Sequence, residues 1–172
     1  MALTDSLTGI PNRRALSEML DREIHTSERY DTPFAFMILD LDDFKKINDS
    51  GGHGLGDRAL KRFATLLKRV ARKGDIVARF AGDEFVVVMA KTDRVQAELG
   101  VERIQATLRR SGLHTSIGVA MFPHDGLNGQ ALFFAADQAL YEAKQNGKNC
   151  FRFHRRLSQI SVPHLPTGTG SL

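Results

Sequence analysis

Acidic residues stand at two places in this 172-residue chain where acids are costly. Asp40 follows the apolar run Phe34–Leu39, and Asp83 and Glu84 lie within the segment Phe80-Ala81-Gly82-Asp83-Glu84-Phe85. A carboxylate at the end of a buried strand cannot stay unpaired in the core; it requires water, a cation or a metal. If the strand before Asp40 runs beside the acidic turn, three carboxylates converge, and a hard cation such as Mg²⁺ is the natural remedy for their repulsion. An EF-hand does not fit. Counted from Asp40, its fifth loop position would be Phe44 and its twelfth, which needs a bidentate Glu, would be Gly51.

The elements that must position these acids follow from periodicity. Asn12 is a good cap for an amphipathic helix through about Arg29, with Leu16, Met19, Leu20 and Ile24 at helical spacing. Asp31-Thr32-Pro33 breaks it, and Phe34–Leu39 reads as a strand buried on both faces. A short helical piece, Phe44–Asp49, leads into a loop at Ser50–Gly54, and a second long helix runs from Gly56 to Arg72, closed by Gly74. Strands at Asp75–Phe80 and Glu84–Ala90 are joined by a tight Ala81-Gly82 turn. A helix at Arg94–Arg110, a strand at His114–Met121, a helix at Asn128–Asn146 and a strand at Cys150–His154 complete the order. The expected architecture is an α/β (α+β) sandwich, a central mixed five-stranded sheet surrounded by helices. Residues 1–157 read as one domain and 158–172 as a C-terminal tail or linker rich in Pro, Gly, Ser and Thr.

Composition narrows the function classes. Apolar residues at 42% and charged residues at 26% describe a folded chain. No apolar run approaches the roughly 20 residues of a membrane span, so no direct membrane insertion is expected. A single cysteine, Cys150, excludes an internal disulfide and agrees with a cytoplasmic location. The net charge of +4 points to anionic partners, but no RNP-like aromatic stretch accompanies the basic helix face, so nucleic acid is not expected.

Several blocks together carry a family resemblance. They are D-S-L-T-G-I-P-N-R-R at Asp5–Arg14, D-L-D-D-F-K-K-I-N-D at Asp40–Asp49, G-H-G-L-G-D at Gly52–Asp57 and R-F-A-G-D-E-F at Arg79–Phe85. S-I-G-V-A at Ser116–Ala120, A-D-Q-A-L-Y-E-A-K at Ala136–Lys144 and G-K-N at Gly147–Asn149 follow in order. The chain resembles a GGDEF domain, the diguanylate cyclase module of bacterial cyclic-di-GMP signalling, with an AGDEF variant of the signature.

The resemblance implies a palm-like, ferredoxin-like fold akin to nucleotidyl cyclases. It also implies condensation of two GTP into cyclic-di-GMP and two pyrophosphates across a homodimer of half-sites. Mg²⁺ or Mn²⁺, two per half-site, would be held by Asp40, Asp83, Glu84 and the Leu41 carbonyl, with Asp40, Asp83 and Glu84 as the catalytic acids. Asn48 and Asp57 match the guanine-reading pair. Lys45, Lys144, Lys148, Gly82 and the backbone N–H groups of Asp43 and Phe44 match substrate contacts. Arg72 and Asp75 fit the R-x-x-D inhibitory site for the product. His53 reads as structural. Two departures stand out: Ala81 replaces the first signature glycine, where positive φ is often needed, and Lys148 replaces an arginine, losing bidentate phosphate geometry. The alternative is therefore a weak or inactive GTP- or cyclic-di-GMP-binding regulatory module. The chain begins almost at the Asp5 block, so it is expected to be part of a longer protein, with sensor or EAL domains as companions.

Overall fold

The computed structural model describes residues 2–155; the expected tail, residues 158–172, lies outside the described residues. The elements are α1 (Arg13–Tyr30), β1 (Phe34–Leu41), α2 (Phe44–Val70), β2 (Ile76–Ala81), β3 (Glu84–Met89), α3 (Arg94–Arg110), β4 (Thr115–Phe122), α4 (Gly129–Gln145) and β5 (Phe151–Phe153). The sheet order is β2-β3-β1-β4-β5, antiparallel throughout except for the parallel β4–β5 pair, so the sheet is mixed as expected.

β1 is the middle strand, flanked by β3 and β4, which is why its sequence is an unbroken apolar run rather than an alternation. Side chains at 35, 37 and 39 enter a core with α2 and α3, while Phe34, Phe36 and Ile38 enter a second core with α1 and α4. Asp40 continues the second set. It therefore lies inside the strand, on the α1/α4 face, and not beyond the strand end as the apolar run suggested.

Each helix is bounded by a local device. The Asn12 side chain accepts from the Ala15 N–H to start α1, and Asp31 closes it in the left-handed region at φ 51°. Asp93 and Gln96 form a capping box on α3, and Asn128 caps α4 through the Ala131 N–H. The segment Ser50–Gly54 is not a loop. Helical backbone runs through it and breaks at Gly52 alone (φ 72°, ψ 176°), because a single residue free of a Cβ suffices for the kink. The same helix ends at Val70, with Ala71 turning extended, so Gly74 is not its closing residue.

α4 reaches the sheet only because β4 carries Gly118 beneath it. A Cβ there would lie 2.0 Å from the Ala136 carbonyl oxygen and 2.4 Å from the Leu140 nitrogen, both backbone atoms that cannot step aside. Gly118→Ala should therefore destabilise the chain by about 3 kcal/mol or more, the upper end for overpacking. Equilibrium urea unfolding measures this. A loss under ~1 kcal/mol would show that α4 does not need this close approach.

Candidate functional site

The acidic site is assembled by strand register. Asp40 of β1 stands directly opposite Glu84 of β3 and opposite Ser116 of β4. Asp83 sits at the hairpin tip, where its carbonyl accepts from the Leu41 N–H at 3.2 Å. The Lys144 ammonium, from the last turn of α4, forms an ion pair with Asp40 Oδ2. The other Asp40 oxygen, Oδ1, is buried with no hydrogen-bond partner, and the side chain is only 13% exposed.

The electrostatics are those of acids held close together. Burial pushes the Asp40 pKa up; the Lys144 hydrogen bond opposes this and neighbouring Asp83 adds to it, leaving the group raised. Glu84 is likewise raised, first by burial and then by the charge of Asp40, with Asp137 contributing. Lys144 is held above its ordinary value: burial alone would lower it, but the hydrogen bond and charge of Asp40 prevail. Among the described residues, however, no cluster of three His, Cys, Asp or Glu side chains is close enough to cage an ion. The three acids form neighbouring pairs, because Asp40 lies in the strand, pinned by Lys144, while Asp83 occupies the turn. Such a set is still chemically suited to Mg²⁺, which ordinarily takes one or two carboxylates and completes its shell with water and substrate phosphates. The orphaned Asp40 Oδ1 is a buried acceptor of the kind a cation satisfies.

Ala81 proves compatible with the hairpin. It is the last residue of β2, paired with Glu84, so the two-residue turn is Gly82-Asp83 and not Ala81-Gly82. Positive φ is needed only at Gly82 (φ 37°), and Ala81 is exposed. The register shift between Arg79 and Ala81 absorbs the strand twist ahead of the turn.

Two sets of residues that the sequence reading left without roles brace this site. Arg79 donates to the Gly82 carbonyl through Nε (2.9 Å) and NH2 (2.7 Å), and its NH1 reaches Asp5 Oδ1 at 3.0 Å. Asp5 also takes the Thr8 N–H and hydroxyl, so the segment before α1 is tied to the hairpin tip. Asp42 accepts from the Ser116 hydroxyl (2.6 Å) and the Asn149 N–H (2.8 Å), locking the end of β1 to β4 and to the α4–β5 turn. The pattern Asp40-x-Asp42 was the available signal, since residues two apart on a strand share a face.

The remaining expected residues fall into three places. Asp43, in the left-handed region at φ 56°, starts α2 without a side-chain cap; its carboxylate instead meets Lys148 (2.9 Å) and Lys46 (3.3 Å). Lys148 and then Lys46 hold the Asp43 pKa below its ordinary value. Phe44 is partly buried against the core, and Lys45 is exposed on the first turn. Asn48 folds across the α2 break onto Gly56, where a Cβ would come 1.9 Å from Asn48 Oδ1, so the kink brings Asn48 to the residue preceding Asp57. Arg72 and Asp75 stand apart, in the α2–β2 turn. There the Asp75 carboxylate accepts the Arg72 N–H at 2.8 Å, and the Arg72 residue is exposed. His53 is exposed on α2.

Because Asp40 and Glu84 have raised folded-state pKa values, the stability each contributes is fully present below the ordinary carboxylate pKa of about 4 and is lost as pH rises through the higher folded value. In chelator-treated buffer, Asp40→Asn and Glu84→Gln should each raise Tm at neutral pH. The gain should vanish as pH falls below about 4. Thermal melts across pH check this, and a pH-independent difference would refute the assignment.

Comparison with known proteins bears on this geometry. The family described as diguanylate cyclase, GGDEF domain, matches residues 2–150. The diguanylate cyclase DgcP of Pseudomonas aeruginosa is 40% identical over 157 residues, 86% of this chain and 23% of DgcP. The cyclic di-GMP phosphodiesterase NbdA of the same organism is 37% identical over 164 residues, 91% of this chain and 21% of NbdA. A crystal structure of the coiled coil and GGDEF domain of DgcB from Caulobacter crescentus, in complex with c-di-GMP, superimposes with a TM-score of 0.78 at 30% identity, covering 88% of this chain and 84% of that one. The chain spans less than a quarter of the length of these two curated relatives. A mixed sheet with a paired acidic hairpin beside its central strand, and a family match over nearly all the described residues, together make the chain a member of the diguanylate cyclase GGDEF-domain family.

Proposed function

We propose that this GGDEF domain condenses two GTP into cyclic-di-GMP and two pyrophosphates, with two copies each supplying a half-site. The observation that carries this reading is the pairing of Asp40 with Glu84 across β1 and β3, beside Asp83, with Asp40 Oδ1 buried and unsatisfied. Asp40, Asp83, Glu84 and the Leu41 carbonyl would hold Mg²⁺ or Mn²⁺, two per half-site. When bound, that metal supplies charge neutralisation at the phosphates and lowers the pKa of the attacking hydroxyl.

The chain's own groups do the rest. The N-terminus of α2 offers backbone N–H groups at Asp43 and Phe44 to phosphate oxygens, free of a side-chain cap, with the helix dipole favouring anions. Lys45 and Lys148 lie at the same end of the site, and Lys144 can transfer from Asp40 to a phosphate oxygen. Asp57 can accept from guanine N1–H and the 2-amino group together, which adenine does not offer, and Asn48 assists from across the kink. Glu84 accepts the proton of the 3′-hydroxyl as the new 3′-O–P bond forms at the α-phosphorus of the facing nucleotide. The bond to the β-phosphate oxygen breaks, and pyrophosphate leaves. Arg72, exposed in the α2–β2 turn, is a cation suited to a product phosphate, with Asp75 shaping the turn; this supports product inhibition there. A cytoplasmic setting, where GTP and reduced Cys150 coexist, suits the reading.

A second reading is a module that binds GTP or cyclic-di-GMP without turnover, as part of a protein with sensor or EAL domains. The phosphodiesterase among the relatives and the engagement of Lys148 by Asp43 favour it. Incubation of the chain with GTP and Mg²⁺, read by product chromatography, separates the two. Product that disappears in Glu84→Gln supports cyclase activity, whereas nucleotide binding by calorimetry without product favours the second reading. Asp40→Asn should also weaken Mn²⁺ binding in the presence of nucleotide by tenfold or more, about 1.4 kcal/mol, in a titration independent of turnover. Because Ala81 has ordinary backbone geometry and an exposed methyl, Ala81→Gly should change turnover by no more than about twofold. A large gain would show that the methyl obstructs the nucleotide.

A further inference from the structure

The second half of α2 carries charges that the nucleotide site does not use. Between Asp57 and Asp75 the chain holds seven cations and no acid. Arg58, Lys61, Arg62, Lys68 and Arg69 recur at the spacing of one helix face, so they share about 120° of arc along roughly 16 Å of helix. Leu60, Phe63, Ala64 and Leu67 occupy the opposite side and are buried in the core. All five cations are exposed, and among the described residues no carboxylate pairs with any of them. Like charges one turn apart on a helix repel, and an anionic partner relieves that repulsion.

The neighbouring helix says which kind of anion. α3 covers the same sheet face as α2, through Ala97, Val101, Ile104 and Leu108, so the outward sides of the two helices look the same way. On the outward side of α3, Val95 and Leu99 are 68% and 64% exposed, one turn apart. Arg103 and Arg110 add exposed cations to this helix, against the exposed acids Glu98 and Glu102. The exposed large aromatics among the described residues, Tyr30, Phe134 and Tyr141, sit on α1 and α4 instead. A nucleic-acid strand calls for aromatics among the cations, on which bases stack, and would leave Val95 and Leu99 idle. An anionic lipid surface engages both sets: cations meet the headgroups, and aliphatic side chains enter the boundary beneath them.

We propose that the outward surface of α2 and α3 docks on an anionic phospholipid surface, with Lys61, Arg62, Lys68 and Arg69 at the headgroups and Val95 and Leu99 entering the interface. The docking is peripheral: among the described residues no helix is long and apolar enough to cross a membrane. Asp40 lies on the α1/α4 face, the opposite side of the sheet. Docking through α2 and α3 therefore turns the acidic centre away from a negative surface that would repel it, and the positive side toward that surface. This holds whether or not the chain turns over GTP.

Co-sedimentation with large vesicles tests this. The chain should bind vesicles of phosphatidylcholine containing about 30% phosphatidylglycerol and not vesicles of phosphatidylcholine alone, and raising salt from about 0.05 M to about 0.5 M should release it. Each Lys or Arg at such a surface strengthens binding by a factor of roughly five, so the combined variant Lys61→Gln, Arg62→Gln, Lys68→Gln and Arg69→Gln should lose about a hundredfold or more. Val95→Ser with Leu99→Ser keeps the charge and removes the apolar area, and should weaken vesicle binding by about threefold or more. Both variants should retain the native circular dichroism spectrum, since every substituted side chain is exposed. No binding to the anionic vesicles, equal binding to neutral ones, or native-level binding by the combined lysine and arginine variant overturns the proposal. So does a random-sequence DNA duplex or polyglutamate that stays bound at a salt concentration releasing the vesicles, because the basic face then belongs to that class of partner.

Discussion

The carboxylate of Asp40 is the charge around which this domain is arranged. It is carried by the central strand, on the face that α1 and α4 cover, and it is nearly out of reach of water. Leaving such a group ionised is costly without partners. One oxygen is met by Lys144, and this requires α4 to lie close on β4, which only the missing side chain at Gly118 permits. The other oxygen has no partner, and the nearest groups are further acids. A region that is electrostatically unfinished in this manner is a poor choice for stability and a sensible one for holding a cation.

The hairpin that delivers Asp83 and Glu84 is held as much from outside as by its own turn. Gly82 supplies the left-handed residue, but the Gly82 carbonyl is grasped by Arg79, and Arg79 is held by Asp5 from a segment before α1. The tip is therefore positioned by a contact spanning most of the way from the chain start to the signature. This explains how Ala81 is accommodated: the residue ends a strand, and the burden of the turn falls on its neighbours.

α2 shows a related economy. A single break at Gly52 lets one nearly continuous helix present its first turn to the end of β1 and fold Asn48 onto Gly56, beside Asp57. Cations gather where the helix starts, Lys46 and Lys148 on Asp43, so the acidic centre and a basic rim lie next to each other. An anionic ligand carrying a divalent cation suits both sides of that boundary.

Much of this was legible in the chain itself. The order of helices and strands, the buried central strand, the cap at Asn12 and the identity of the acids all follow from local spacing, because periodicity and capping are properties of neighbouring residues. What local spacing misjudged were points decided by distant partners. The strand runs through Asp40 because β3 and β4 pair with it there, and the turn is Gly82-Asp83 because Ala81 bridges to Glu84. The union of Asp40 with Lys144, 104 positions apart, and of Asp5 with Arg79, 74 apart, was likewise settled only by folding. The sequence determined which acids and cations exist and on which elements they ride. The tertiary structure decided which of them share a low-dielectric corner, since the energy of a charge depends on its surroundings in space and not on its neighbours along the chain.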